Sequence, residues 1–115
     1  MFLKLRTVVY HVPDIEKAKA WYTGITGIQP YFDEPFYVGF NIDGCELGLD
    51  PDMTGITPGN TSFSYWAVEA IAEKIKTLEA AGATIVQPLT EVGGGIQVAA
   101  LNDPWGNTIG LIEGA

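Results

Sequence analysis

The chain has 115 residues, 47% of them hydrophobic and 17% charged, which places it among soluble globular proteins within the size of one domain. Its 14 acidic residues against 6 basic ones give a formal charge of −8. So few Lys and Arg exclude the phosphate neutralisation that nucleic-acid binding needs, and leave either plain solubility or electrostatic steering of a cationic small molecule. Cys45 is the single cysteine, so an internal disulfide and a Cys-rich zinc site are both excluded. The N-terminal alternation Phe2, Leu3, Lys4, Leu5, Arg6 has no apolar signal core or membrane span, and the expected location is the cytoplasm, with no membrane partner.

In chain order, Leu3 to Val12 is β-branched and aromatic and reads as a strand. It stops at Pro13-Asp14, with Asp14 as helix N-cap. Ile15, Ala18, Trp21, Tyr22 and Ile25 follow at helical spacing, and Gly27 reads as the C-cap. Gln29 to Asp33 and Phe36 to Ile42 read as two strands. Asp43-Gly44 is a type I′ hairpin signal, and Cys45 to Leu49 is the returning strand. Asp50 to Asn60 is rich in Pro, Gly and Asp and reads as a linker.

The order then repeats. Ser62 to Val68 reads as a strand, Ile71, Ile75 and Leu78 mark one helix face, and Gly82 reads as its C-cap. Ala83 to Gln87 is a strand ending at Pro88. Gly93 to Gly95 is a turn, or a flap over a pocket, and Ile96 to Leu101 and Asn107 to Glu113 are the last strands. Matching Val12 to Val68 offsets the halves by about 56 residues, and the repeat rests on element order. The fold class is α+β: two βαβββ modules with curled antiparallel sheets enclosing a pocket. One domain spans 1–115, with module one at about 1–50, a linker at 51–61 and module two at 62–115.

Between the last two strands, Asp103-Pro104-Trp105-Gly106-Asn107 is a tight reversal, with φ fixed at Pro104 and Gly106 suited to positive φ. Asp-Pro-x-Gly-Asn before a short final strand resembles the last hairpin of the vicinal-oxygen-chelate superfamily, which includes glyoxalases, extradiol dioxygenases and fosfomycin- and bleomycin-resistance proteins. Val12-Pro13-Asp14-Ile15-Glu16-Lys17-Ala18 with Trp21-Tyr22 resembles its first helix, and Glu46-Leu47-Gly48-Leu49 its fourth strand.

In metal-dependent members of that family, imidazoles and carboxylates on the first, fourth, fifth and eighth strands hold a divalent ion that chelates two vicinal substrate oxygens. The resemblance carries those positions to Thr7, to Glu46 or Gly48, to Phe63 and to Gly110. Thr, Phe and Gly cannot replace imidazole and carboxylate, so no metal site and no cofactor are expected; a divalent metal is the alternative.

The pocket is expected to be lined by Thr7, Val9, Glu46, Phe63, Tyr65, Thr108, Gly110 and Ile112, with Ala67 in the same pleat and further aromatics at Tyr31, Phe36, Tyr37, Phe40, Trp66 and Trp105. An aromatic pocket in an acidic protein suits a planar or cationic molecule. His11, the one imidazole, reads either as a pocket base partnered by Glu46 or as a strand-end residue bonded to backbone or water. Asp33 and Glu34 read as the mouth of a groove or as a charged turn, and Glu113 as a solvated chain-end charge. The resemblance implies metal-independent, bleomycin-resistance-like sequestration of a small aromatic or cationic molecule by a homodimer. The alternatives are a glyoxalase-like lyase or isomerase, using a shifted metal site or His11 as general base, and a partner-binding domain with an exposed apolar patch.

Overall fold

The β-branched run after Arg6 forms β1 (Thr7–His11), and Pro13 separates it from α1 (Ile15–Thr26). Asp14 caps that helix from its own sequence, accepting from the Lys17 amide at 3.1 Å, and Gly27 closes it in the left-handed region at φ 70°. The chain continues through β2 (Phe32–Glu34), β3 (Tyr37–Ile42) and β4 (Cys45–Asp50). Asp43 and Gly44, at φ 49° and 89°, supply the two positive φ angles of a type I′ turn between β3 and β4. The second half repeats the order as β5 (Ser64–Ala67), α2 (Ile71–Ala80), β6 (Thr84–Gly93), β7 (Ile96–Asn102) and β8 (Thr108–Glu113). This computed structural model describes residue 3, residues 5–58 and residues 63–114. Lys4 in the expected first strand, the end of the expected linker and Ser62 lie outside the described residues.

The chain divides into two compact units, Met1–Ile56 and Thr57–Ala115. Each holds one open four-stranded sheet, ordered β1-β4-β3-β2 in the first and β5-β8-β7-β6 in the second. The sheets are mixed rather than purely antiparallel, because β1 runs parallel to β4 and β5 parallel to β8. The helix after the first strand of each unit allows this, since a parallel neighbour needs a long crossover where a hairpin does not.

In the first unit, Tyr10, Val12, Val38, Phe40, Leu47 and Leu49 are buried together with Ala18 and Tyr22 of α1. In the second, Ile71, Ile75 and Leu78 of α2 are buried together with Ala99, Leu101, Ile109 and Leu111. Alternation along each strand leaves the other sheet face without a helix.

Three further expectations need correction. Pro88 does not end a strand: β6 runs on to Gly93, with register shifts between Gln87 and Thr90. An edge strand tolerates a proline at such an irregularity. Ala81 rather than Gly82 is the C-cap of α2, and Gly82 follows it at φ 106°. Glu113 is not a solvated end charge. Its carboxylate accepts the Ala70 and Ile71 amides, both at 2.9 Å, and these two bonds hold its pKa below the usual carboxylate value. Ala70 itself has no capping side chain, so β8 supplies the anion that the helix start lacks.

Candidate functional site

On the helix-free face of the first sheet, register fixes the neighbours. Thr7 lies opposite Glu46, and Glu46 opposite Asn41; Val9 lies opposite Gly48, and Gly48 opposite Gly39; His11 lies opposite Asp50. The Glu46 carboxylate is held by two phenols. The Tyr37 hydroxyl donates to Oε2 at 2.6 Å, and the Tyr31 hydroxyl donates to Oε1. Tyr31 is positioned by its own amide, which donates to the Gly39 carbonyl at 3.0 Å.

Two glycines make room for these rings. A Cβ on Gly48 would lie 2.5 Å from Tyr37 Cζ, and one on Gly39 would lie 3.2 Å from Glu46 Oε1 and 3.3 Å from Tyr31 Cε1. Burial, and then the nearby Asp50 charge, push the Tyr37 pKa up, while Arg6 opposes them. Tyr37 is therefore a protonated donor throughout the physiological range.

Beside this clamp is a cleft of about 210 Å³, lined by Arg6, Tyr31, Asn41, Gly44 and Glu46. Arg6 Nη1 donates to Thr7 Oγ1 at 3.0 Å. The Asn41 side-chain oxygen accepts the Gly44 amide at 2.9 Å, leaving the amide nitrogen of that side chain as a donor at the cleft. Phe32 and Phe36, with ring centroids 6.0 Å apart, and Tyr37, 6.2 Å from Phe32, form an aromatic group around the turn between β2 and β3.

The structure does not bring His11 to Glu46. They sit four positions apart along the β1–β4 ladder, roughly 13 Å at strand rise. His11 Nδ1 instead donates to the Asp52 carbonyl at 2.9 Å. Asp33 is tied toward α1, accepting from Lys19 Nζ at 3.1 and 3.2 Å; the same ammonium pairs with Glu16 at 3.0 Å.

In the second unit, Tyr65 lies opposite Gly110 and Ala67 opposite Ile112. The Phe63 and Tyr65 rings are 5.3 Å apart. A Cβ on Gly110 would lie 2.5 Å from the Ser64 carbonyl oxygen and 2.7 Å from Tyr65 Cδ1. Thr108 Oγ1 is engaged, donating to Asn102 Oδ1 at 2.9 Å. In the Asp-Pro-x-Gly-Asn turn, the buried Asp103 carboxylate accepts the Trp105 amide at 2.9 Å, the Asn107 amide at 2.8 Å and Asn107 Nδ2 at 3.0 Å. That signature does structural work here: it closes the reversal into β8.

The two units share an internal correspondence. Val12 N–H donates to the Asp50 carbonyl as Val68 N–H donates to the Ile112 carbonyl, each at 2.9 Å. Gly48 therefore corresponds to Gly110, with Tyr37 over one and Tyr65 over the other, while Glu46 corresponds to Thr108. Sequence reasoning left the fourth-strand position open between Glu46 and Gly48, and of the two it is Gly48 that is equivalent to Gly110. It also left Tyr31 and Tyr37 as unassigned aromatics and passed over Arg6. The alternation of Tyr37 with Gly39 and Asn41 was the available signal for one of them.

Thr7, Phe63 and Gly110 offer no imidazole or carboxylate, and rings fill the space above Gly48 and Gly110 where acidic side chains would extend. Among the described residues, no group of three or more His, Cys, Asp or Glu side chains is arranged to hold a metal ion.

The architecture is that of an α+β protein built from two βαβββ modules. The family model of the Glyoxalase/Bleomycin resistance protein/Dioxygenase superfamily matches residues 4–111, and the chain belongs to that superfamily. No curated protein matches it.

Solved structures share the fold at low identity. A glyoxalase/bleomycin resistance protein/dioxygenase family enzyme from Burkholderia phytofirmans is 21% identical at a TM-score of 0.81, covering 96% of this chain and 98% of that one. A superfamily member from Sphaerobacter thermophilus is 24% identical at 0.81, covering 98% of each. The genomically encoded fosfomycin resistance protein FosX from Listeria monocytogenes is 16% identical at 0.82, covering 100% of this chain and 96% of that one. Among the described residues, no helix is long and apolar enough to cross a membrane.

Proposed function

We propose that this protein binds a small aromatic or cationic organic molecule without a metal ion, in the manner of the sequestering, bleomycin-resistance-like members of its superfamily. The observation that carries this reading is the Glu46 carboxylate held by Tyr31 and Tyr37 at a cleft. A fixed anion among aromatic rings attracts a cation by charge and by cation–π contact, each contact worth on the order of 0.5–2 kcal/mol. The phenols fix the carboxylate before the ligand arrives, so little side-chain entropy is lost on binding. The formal charge of −8 adds a long-range field of the same sign.

Titration calorimetry with benzyltrimethylammonium as probe tests the reading. Binding is expected to survive an excess of chelator, to weaken about tenfold or more, roughly 1.4 kcal/mol, in Glu46→Gln, and to persist in His11→Ala. Loss of binding on chelation, or dependence on His11 rather than Glu46, would instead support the glyoxalase-like reading. The proposal includes a homodimer, for which the exposed Val9, Phe63 and Tyr65 side chains offer apolar surface; sedimentation equilibrium checks it.

A further inference from the structure

Arg6 and Glu46 line the same cleft, and they do not pair with each other. The ion pairs among the described residues join Lys19 to Glu16 and to Asp33. Each of the two cleft charges is instead fixed by neutral partners, Glu46 by Tyr31 and Tyr37 and Arg6 by Thr7 Oγ1 at 3.0 Å. The backbone sets their places: the Glu46 amide donates to the Arg6 carbonyl at 2.8 Å, and Arg6 immediately precedes β1, which lies beside β4. Two opposite charges lining one small cleft, each without an ion-pair partner among the described residues, complement a ligand carrying the opposite charges at its own two ends.

We infer that the cleft selects a small zwitterion of amino-acid size. The ligand's ammonium would sit on the Glu46 carboxylate and its carboxylate on the Arg6 guanidinium, with Asn41 as a further donor and Tyr31 as an aromatic wall. Size supports this. At about 210 Å³, the cleft is smaller than the roughly 300–1,000 Å³ sites of drug-sized molecules. Charge supports it too: a net anion is repelled by a protein of charge −8, whereas a zwitterion presents its carboxylate to one local cation without carrying net charge. The inference rests on the cation-binding reading above and narrows it.

The test compares L-phenylalanine, phenethylamine and 3-phenylpropionate by calorimetry on the wild-type protein, Arg6→Gln and Glu46→Gln. These probes share a ring and carry both charges, the cation alone and the anion alone. L-Phenylalanine is expected to bind the wild type at least tenfold more tightly than either other probe. Arg6→Gln is expected to bring it down to the phenethylamine level without weakening phenethylamine, from which it removes only a like charge, and Glu46→Gln to weaken both. Equal binding of phenylalanine and phenethylamine in the wild type overturns the zwitterion inference and leaves the cation reading intact. So does absence of binding by all three while benzyltrimethylammonium binds. Failure of that cation as well overturns both. Arg6 is exposed, and the wild-type comparison needs no variant to fold.

Discussion

The two modules repeat one element order but solve the same local problems differently. The α1 start is capped by Asp14, the residue at its own boundary; the α2 start is capped by Glu113 from β8. The first core is aromatic, with Tyr10, Tyr22 and Phe40 buried, and the second is aliphatic around Leu101, Ile109 and Leu111. On the open faces the contrast carries chemistry: module one presents Glu46 held by two phenols, and module two presents Phe63 and Tyr65 beside Gly110. Repetition fixed the frame and left each face to specialise. The small-molecule site proposed above therefore belongs to module one.

The largest effects should come from the cores. Phe40→Ala is expected to cost about 3–5 kcal/mol and Leu101→Ala about 2–5 kcal/mol, read from urea midpoints. Near-equal losses would show that the aromatic and aliphatic cores serve their modules equally well.

The corresponding glycines should separate the modules more sharply. Gly110→Ala meets the Ser64 backbone oxygen, which cannot move aside, whereas Gly48→Ala meets only the Tyr37 side chain, first its hydroxyl and then its ring. Within the usual cost of overpacking, about 1–3 kcal/mol, Gly110→Ala should fall at the upper end and Gly48→Ala at the lower. Tyr37→Ala should abolish the cost of Gly48→Ala, while Tyr65→Ala should leave most of the cost of Gly110→Ala. Full rescue at both positions would contradict the difference described here.

The caps come next. Asp14→Ala is expected to cost about 1 kcal/mol. Glu113→Gln should lower the melting temperature by a few degrees at neutral pH and have a distinct pH signature. Because the folded-state pKa of Glu113 is lowered from 4.5, its contribution is fully present above that value and is lost as pH falls through the lower folded value. The gap between wild type and Glu113→Gln should therefore be constant from pH 7 to about 5.5 and close on further acidification. A gap unchanged at pH 2 would show that the cap acts by packing rather than charge.

Much of the fold was legible because its signals are local. Asp14 and Gly27 bracket α1, Asp43-Gly44 encodes its hairpin, and Asp103-Pro104-Trp105-Gly106-Asn107 closes the last reversal within a few residues. Each is a backbone preference or side-chain bond made by near neighbours, which short spacing reveals. That Thr7, Phe63 and Gly110 carry neither imidazole nor carboxylate is a matter of residue type, which the sequence states directly.

The candidate site was less so. The bonds of Tyr31 and Tyr37 to Glu46 span 15 and 9 residues, and Glu113 reaches 43 residues back to cap α2. Parallel pairing of β1 with β4 put Thr7, rather than His11, opposite Glu46. Residue types and their periodicity therefore determined the elements, their order and the residues able to carry charge. Strand register and close approach between distant segments, which no local preference encodes, decided which charges share a cleft and which are only caps.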